Sequence, residues 1–259
     1  MELYDVIGIE YDTSRKADPQ ITQRLNNHLQ VTENSRILDV ACGTGNYTIA
    51  LSQMGLEMTG TDISEEMLQT ARKKASQITW DKADVINLPY FDGEFSGATC
   101  ILAIHHFQDL LKSFQQVYRV LSNGGRFVLF TSTPEQMERY WLKEYFPDAI
   151  MKSCSQMPEV SLVIEQLKQA GFKIVGLETF LIQPNLQDFF LYSGKYKPSI
   201  YLNPNVRAGI STFANLASAQ EVHDGCSRLH KDIESGAIQE VMDQYSSELG
   251  DYMFVVAEK

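Results

Sequence analysis

Strand-length apolar runs alternate with amphipathic stretches along most of this 259-residue chain, and that alternation restricts its fold more than any other feature. Such a pattern builds βαβ units, and hence a mostly parallel sheet with helices on both faces. The first strand reads over 36–40 and is followed by a helix over 46–54 that Gly55 stops. A second strand over 57–61 leads to a second helix over 64–75, where Ser64 precedes Glu65 and Glu66 in N-cap fashion. A third short strand is expected over 78–82. The fourth, over 95–104, is apolar nearly throughout, as a strand buried on both faces should be. Leu110, Leu111, Phe114, Val117, Tyr118 and Leu121 recur at helical spacing, and Asn123-Gly124-Gly125 closes that helix. Further strands read over 126–130, 172–182 and 252–257, with a helix over 159–170. The expected fold is α/β, a doubly wound, mostly parallel seven-stranded sheet.

Residues 184–250, between the last two strands, are far too many for a connection and must form a substructure. The stretch opens with Phe189, Phe190, Tyr192, Tyr196, Tyr201 and Phe213, is punctuated by Pro184, Pro198 and Pro204, and reads as helical over 219–245. A helical cap inserted before the last strand is expected. The division is then 1–183 plus 251–259 for the sheet domain, and 184–250 for the cap.

Lys and Arg number 22 against 33 Asp and Glu, a net charge of −11, which disfavours a broad grip on nucleic-acid phosphates. The longest apolar stretches are strand-sized, so no membrane span is expected. No basic region precedes an apolar one at the start, so no secretory signal is read. Cys42, Cys100, Cys154 and Cys226 are widely spaced without a CxxC pair. That points to a reducing, cytoplasmic setting and to neither a disulfide framework nor a zinc site.

The stretch Ile37-Leu-Asp-Val-Ala-Cys-Gly-Thr-Gly-Asn-Tyr-Thr48 places a glycine-rich turn between a strand and a helix. There the backbone can approach a ligand closely and free helix amides lie beyond. The dinucleotide fingerprint G-x-G-x-x-G would need glycine where Thr48 stands, which weakens a nicotinamide-dependent reading without removing it. Asp62 ends the second strand, where a carboxylate can accept both hydroxyls of a ribose. Asp84 follows the third strand, and the fourth runs out in Leu102-Ala-Ile-His-His-Phe107.

With these motifs in this order, the chain resembles the class I S-adenosylmethionine-dependent methyltransferases. It is most like their small-molecule branch, typified by the ubiquinone and menaquinone methyltransferases, over about residues 11–183 plus the last strand. The resemblance implies the Rossmann-like methyltransferase fold, S-adenosyl-L-methionine as cofactor, S-adenosyl-L-homocysteine as product and a small-molecule methyl acceptor. It further implies that Gly43 and Gly45 pass under the methionine with Ala41 and Cys42 lining it, and that Asp62 holds the ribose. Ile63 and Met67 would flank the adenine, Asp84 and Val85 would read its edge, and Ala103 would lie beside the methionine end. Asp39 would buttress the glycine loop. Tyr11 and Arg15, ahead of a helix over 19–29, would close over the methionine, with the guanidinium toward its carboxylate.

Two histidines, His105 and His106, are candidate catalytic bases; each reads equally as hydrogen-bonded structure at the end of a buried strand. No third ligand accompanies them, so no metal is expected. Trp141, Tyr145, Phe189, Tyr192 and Tyr201 are either acceptor-pocket walls or packing that seals the cap. Arg207 is either an anchor for an acidic acceptor or half of a surface ion pair. The Asn/Asp-Pro-Pro-Tyr/Phe signature of nucleobase and glutamine methylation is absent from the end of the fourth strand. Asn87-Leu-Pro-Tyr90 lies before it, in the wrong place. The expected function is methyl transfer to a small molecule by in-line displacement. The alternatives are a catalytically silent cofactor-binding module or partner subunit and, further off, a nicotinamide-dependent oxidoreductase.

Overall fold

In the computed structural model, which describes residues 14–245 and 247–259, seven strands form one sheet in the order β3-β2-β1-β4-β5-β7-β6. These are β1 (Arg36–Val40), β2 (Glu57–Asp62), β3 (Thr79–Lys82), β4 (Phe95–Ile101), β5 (Leu121–Thr131), β6 (Lys173–Phe180) and β7 (Tyr252–Glu258). All neighbours are parallel except β7, which runs antiparallel between β5 and β6. The order reverses at β1, whose neighbours are β2 and β4. Such a switch point leaves a crevice outside the carboxyl ends of the strands.

Helices α1 (Pro19–Leu29), α2 (Asn46–Ser52) and α3 (Glu65–Lys74) cover one face of the sheet, α4 (Leu110–Val120) and α7 (Val160–Gln169) the other. Strand periodicity divides the core accordingly. Leu38, Val40, Phe127 and Leu129 pack with Phe114, Val117 and Leu167 on the α4/α7 face. Ile37, Val128 and Phe130 pack with Leu25, Leu29 and Phe254 on the opposite face. Phe114, Phe127 and Phe254 are 0% exposed, each contributing about 1.5–3 kcal/mol by leaving water. Helix α4 stops at Val120, before the Asn123-Gly124-Gly125 turn, because Leu121 already pairs with Phe95 as β5 begins.

Helical segments follow both β5 and β6, and together they make up the cap. One part follows β5: α5 (Pro134–Glu138), a turn over Trp141–Glu144 and α6 (Pro147–Gln156). The other follows β6: short turns, α8 (Pro204–Ala208), α9 (Ala219–Ser235) and α10 (Ile238–Gln244). The helical stretch over 219–245 is two helices, parted at Gly236, whose φ of 82° terminates α9 in the left-handed region. Tyr140 stacks on Tyr192 at 4.0 Å and shares a 2.6 Å hydroxyl contact with Tyr201, joining the two parts. At the root of the second part, Asp251 accepts from the Ile182 amide and from Lys195 Nζ, both at 2.8 Å. Among the described residues no helix is long and apolar enough to cross a membrane.

Candidate active site

The glycine turn after β1 has a physical floor. A Cβ on Gly45, at φ 76°, would stand 2.2 Å from the Trp80 ring, and one on Gly60 would stand 2.5 Å from it. Trp80 from β3 fills the space beneath the turn and is held by a 2.8 Å bond from its indole N–H to the Ala75 carbonyl. Gly43 is different: at φ 55°, its Cβ would meet nothing within 4 Å, because that side opens into the crevice. One glycine admits the tryptophan, the other keeps the crevice clear.

Thr48 occupies the place of the third fingerprint glycine and makes use of its side chain. Its hydroxyl donates to Asp39 Oδ2 at 2.6 Å, while Thr99 of β4 donates to Oδ1 at 2.8 Å. Asp39 thus ties α2 to β4, and burial raises its carboxyl to about 6. The brace on the glycine turn itself is Asp62. Its Oδ2 accepts the Gly43 amide at 2.8 Å and its Oδ1 the Ser64 amide at 2.9 Å. The buttress expected of Asp39 falls to Asp62, while Asp39 joins α2 to β4 behind the turn.

The crevice is a cleft of ≈ 360 Å³ at the carboxyl ends of β1, β2 and β4. Ala41, Cys42 and Gly43 wall one side, and Asp62, Ile63 and Met67 another. Asp84, Val85 and Ala103 complete it together with His106. Gly45 lies on the buried side of the turn, against Trp80. Ile63 is 43% exposed, an uncommon position for a large aliphatic side chain, and it stands at the cleft mouth. Ala41 and Leu102, at the ends of β1 and β4, hold φ of 55° and 54°, a conformation costing non-glycine residues about 1–2 kcal/mol each. Such strain collects at functional sites. Cys42 contributes no reactive thiolate, because burial drives its thiol well above the usual range.

Arg15 also reaches the cleft wall, with its guanidinium engaged by buried Asp188. Asp188 additionally accepts from the Tyr47 hydroxyl at 3.0 Å, and the Phe189 amide donates to the Ser14 carbonyl at 3.0 Å. The segment before α1 is thereby strapped to the cap across the cleft. Tyr11, like Tyr4, lies outside the described residues.

The two histidines part company. They occupy one turn, with rings 3.9 Å apart, but His106 lines the cleft, whereas His105 lines a second cavity beneath the cap. Burial lowers His105 to about 3, helped by its neighbour, and the same desolvation lowers His106 to about 4, so both rings are neutral at pH 7.

The aromatic candidates fall mainly into the cap's interior. Tyr192 donates to the Gln136 carbonyl at 2.6 Å, and Tyr201 donates to the Leu191 carbonyl while accepting the Gly194 amide at 2.9 Å. Trp141 packs edge-on against Tyr145 and Tyr201, and Tyr145 donates to Asp232 at 2.8 Å. Phe190, rather than its neighbour Phe189, lines the second cavity. Arg207 is committed to the Tyr201 carbonyl at 2.5 Å, so its guanidinium serves the cap's fold. Trp80 and Asp188 were not singled out from sequence, and Thr48 was noted only for standing where the fingerprint needs glycine. Gly45 and Gly60 together were the available signal for Trp80; nothing local marks Asp188.

A family model described as a methyltransferase domain matches residues 38–129. A solved structure from Anabaena variabilis, described as a candidate methyltransferase from an antibiotic biosynthesis pathway, superposes with a TM-score of 0.85 at 31% identity. That superposition covers 95% of this chain and 99% of the other. The demethylmenaquinone methyltransferase of Deinococcus radiodurans is 37% identical over 105 residues, 38% of this chain and 44% of that protein. That of Staphylococcus saprophyticus is 30% identical over 183 residues, 61% of this chain and 78% of that protein. Against the first curated relatives, this chain spans about half their length. The strand order, the glycine turn over Trp80 and these likenesses agree: the chain belongs to the class I S-adenosylmethionine-dependent methyltransferases and is similar to the quinone methyltransferases.

Proposed function

We propose that this chain transfers a methyl group from S-adenosylmethionine to a small-molecule acceptor held beneath the cap. The observation that carries this reading is the position of Gly43, whose missing Cβ leaves the cleft open beside the Asp62 carboxylate. The cleft fits the cofactor on its own chemistry. A carboxylate accepts up to about four hydrogen bonds, so Asp62 can brace the turn and also take ribose hydroxyls. Ile63, Met67 and Val85 offer apolar surface for the adenine, and Asp84 an acceptor for its amino group. Gly43 and Ala41 leave room for the methionine, with Ala103 near its reactive end and Arg15 at its edge.

When bound, S-adenosylmethionine supplies a methyl group on a cationic sulfur, displaced in line by an acceptor's lone pair. The chain's task is to align that acceptor and exclude water. The sheet residues, 1–183 with 251–259, form the cofactor unit in this reading. The cap, 184–250 joined by α5 and α6, covers the acceptor. Free Cys42, Cys100, Cys154 and Cys226 support a reducing, cytoplasmic setting. The net charge of −11 favours a small acceptor over nucleic acid.

Calorimetric titration with S-adenosylhomocysteine tests the reading. Asp62→Ala is expected to weaken binding by at least about tenfold, as loss of a charged hydrogen-bond acceptor does. Undiminished affinity in that variant, or no binding to the unaltered protein, overturns it.

A further inference from the structure

Beside the cofactor cleft lies a second cavity of ≈ 100 Å³, and the two share Arg15, Ile101 and Leu102 in their walls. Its apolar surface comes from Met157, Phe190 and Ile210, and its polar surface from Ser132, Ser153 and Thr212. Both parts of the cap therefore meet the carboxyl edge of the sheet here. Three of the hydroxyls in the wall are already engaged. Ser153 and Thr212 lie 3.0 Å apart, joining the two parts of the cap, and Ser132 donates to the Asp251 carbonyl at 3.3 Å. Arg15, the one charged group in this wall among the described residues, is matched by Asp188.

His105 stands differently. Its Nδ1 is buried and has no hydrogen-bond partner among the described residues. Buried polar atoms are nearly always satisfied, and leaving one bare costs about 1–3 kcal/mol. A ligand in this cavity would supply the missing partner.

We infer that this cavity receives the methyl acceptor, that the acceptor is a neutral, hydroxyl-bearing ring compound, and that its hydroxyl docks on His105 Nδ1. The inference rests on the methyltransferase reading above. A hydroxyl suits the site because it can donate to a bare imidazole nitrogen while its oxygen keeps a lone pair for attack. Neutrality follows from the Arg15–Asp188 pair, which leaves no uncompensated charge for an acidic or basic acceptor to meet. The flat walls of Phe190 and Tyr252, with the flexible thioether of Met157, suit a small ring.

In the reaction the acceptor oxygen's lone pair forms the new O–CH3 bond as the methyl–sulfur bond breaks. That bond's electron pair returns to sulfur, which becomes neutral. The hydroxyl proton passes to Nδ1 of His105 and afterwards to solvent. Low basicity of the buried imidazole is no obstacle, because an oxygen that is methylated and still protonated is a far stronger acid than imidazolium. His106, which lines the cofactor cleft, takes no part in this transfer.

The test uses the full chain saturated with S-adenosylhomocysteine and a panel of phenol, catechol and naphthol derivatives paired with their methyl ethers. Nitrogen NMR of the histidine side chains is the first readout. Hydroxyl probes are expected to shift the His105 resonance, and the ethers to leave it in place. In calorimetry, His105→Asn should weaken the best probe by about tenfold, with S-adenosylhomocysteine affinity unchanged within about twofold. A panel that never moves the His105 resonance, or ethers that bind as well as their parents, overturns the inference while S-adenosylhomocysteine binding persists. Loss of S-adenosylhomocysteine binding by the unaltered protein would instead strike the methyltransferase reading itself.

Discussion

Arg15 and Asp188 stand 173 positions apart in sequence and form one ion pair, Arg15 Nε lying 2.5 Å from Asp188 Oδ1 at the edge of the cofactor cleft. The pair is well shielded, with side-chain exposures of 14% and 2%, and Tyr47 of α2 adds its hydroxyl to the same carboxylate. It fastens the segment before α1 to the cap. Removing the carboxylate strands a guanidinium in a low-dielectric setting, which is costlier than never having had the pair. Asp188→Ala is expected to lower unfolding free energy by about 3 kcal/mol in urea titration. It should also weaken S-adenosylhomocysteine binding, while Asp188→Asn does less of both.

The two glycines of the turn should respond oppositely. Gly43→Ala meets no protein atom, so the cost in stability is confined to the left-handed backbone, about 1–2 kcal/mol, while the new methyl group occupies the cleft. Gly45→Ala drives a Cβ into Trp80 and should destabilise more severely. Paired thermal melts and calorimetry will check this: position 43 should lose ligand affinity ahead of stability, position 45 stability first.

Asp39 gives a signed dependence on pH. Its carboxyl is raised from 3.8 to about 6 by burial, so the folded protein holds a proton that the unfolded chain releases first. Its contribution is therefore fully present below the unfolded value and is lost as pH rises toward about 6, a change of about 3 kcal/mol. Asp39→Asn should abolish that component, and hydroxyl rotation at Thr48 and Thr99 lets the amide be accommodated. The difference in stability between the parent protein and Asp39→Asn, measured from pH 4 to pH 7, is expected to move in favour of the variant as pH rises.

Tyr201 anchors the second part of the cap through one hydroxyl that contacts Tyr140, the Leu191 carbonyl and the Gly194 amide. Tyr201→Phe leaves those buried groups bare and should cost about 1–3 kcal/mol by chemical denaturation. Hydrogen exchange should quicken over 191–202 before it does in the sheet.

Much of the sheet was legible in the sequence, because βαβ repetition is a local signal: Ile37, Val40, Ala98 and Phe127 mark their strands by composition alone. The glycine turn after β1 and Asp62 at the end of β2 lie where strand periodicity puts them, whereas Ile63, Met67, Val85 and Ala103 were expected at the cleft through the family resemblance alone. Contacts made across long intervals were not legible. Asp188 finds Arg15 only after the cap has folded back, and Trp141 and Tyr145 read from sequence either as a lid over the site or as packing, because their partners Tyr201 and Asp232 lie far along the chain. His105 and His106 were inseparable in sequence. The tight turn that aims adjacent rings into different cavities is a property of the fold.

Strand β7 enters the sheet between β5 and β6, although the whole second part of the cap separates it from β6 in the chain. During synthesis β6 therefore has no hydrogen-bonding neighbour within the sheet, and Phe130 lacks Phe254, until residues 252–258 have emerged. Closure of this side of the sheet therefore waits on the cap segment, and a nascent chain stalled within that segment should be open to proteases and chaperones there.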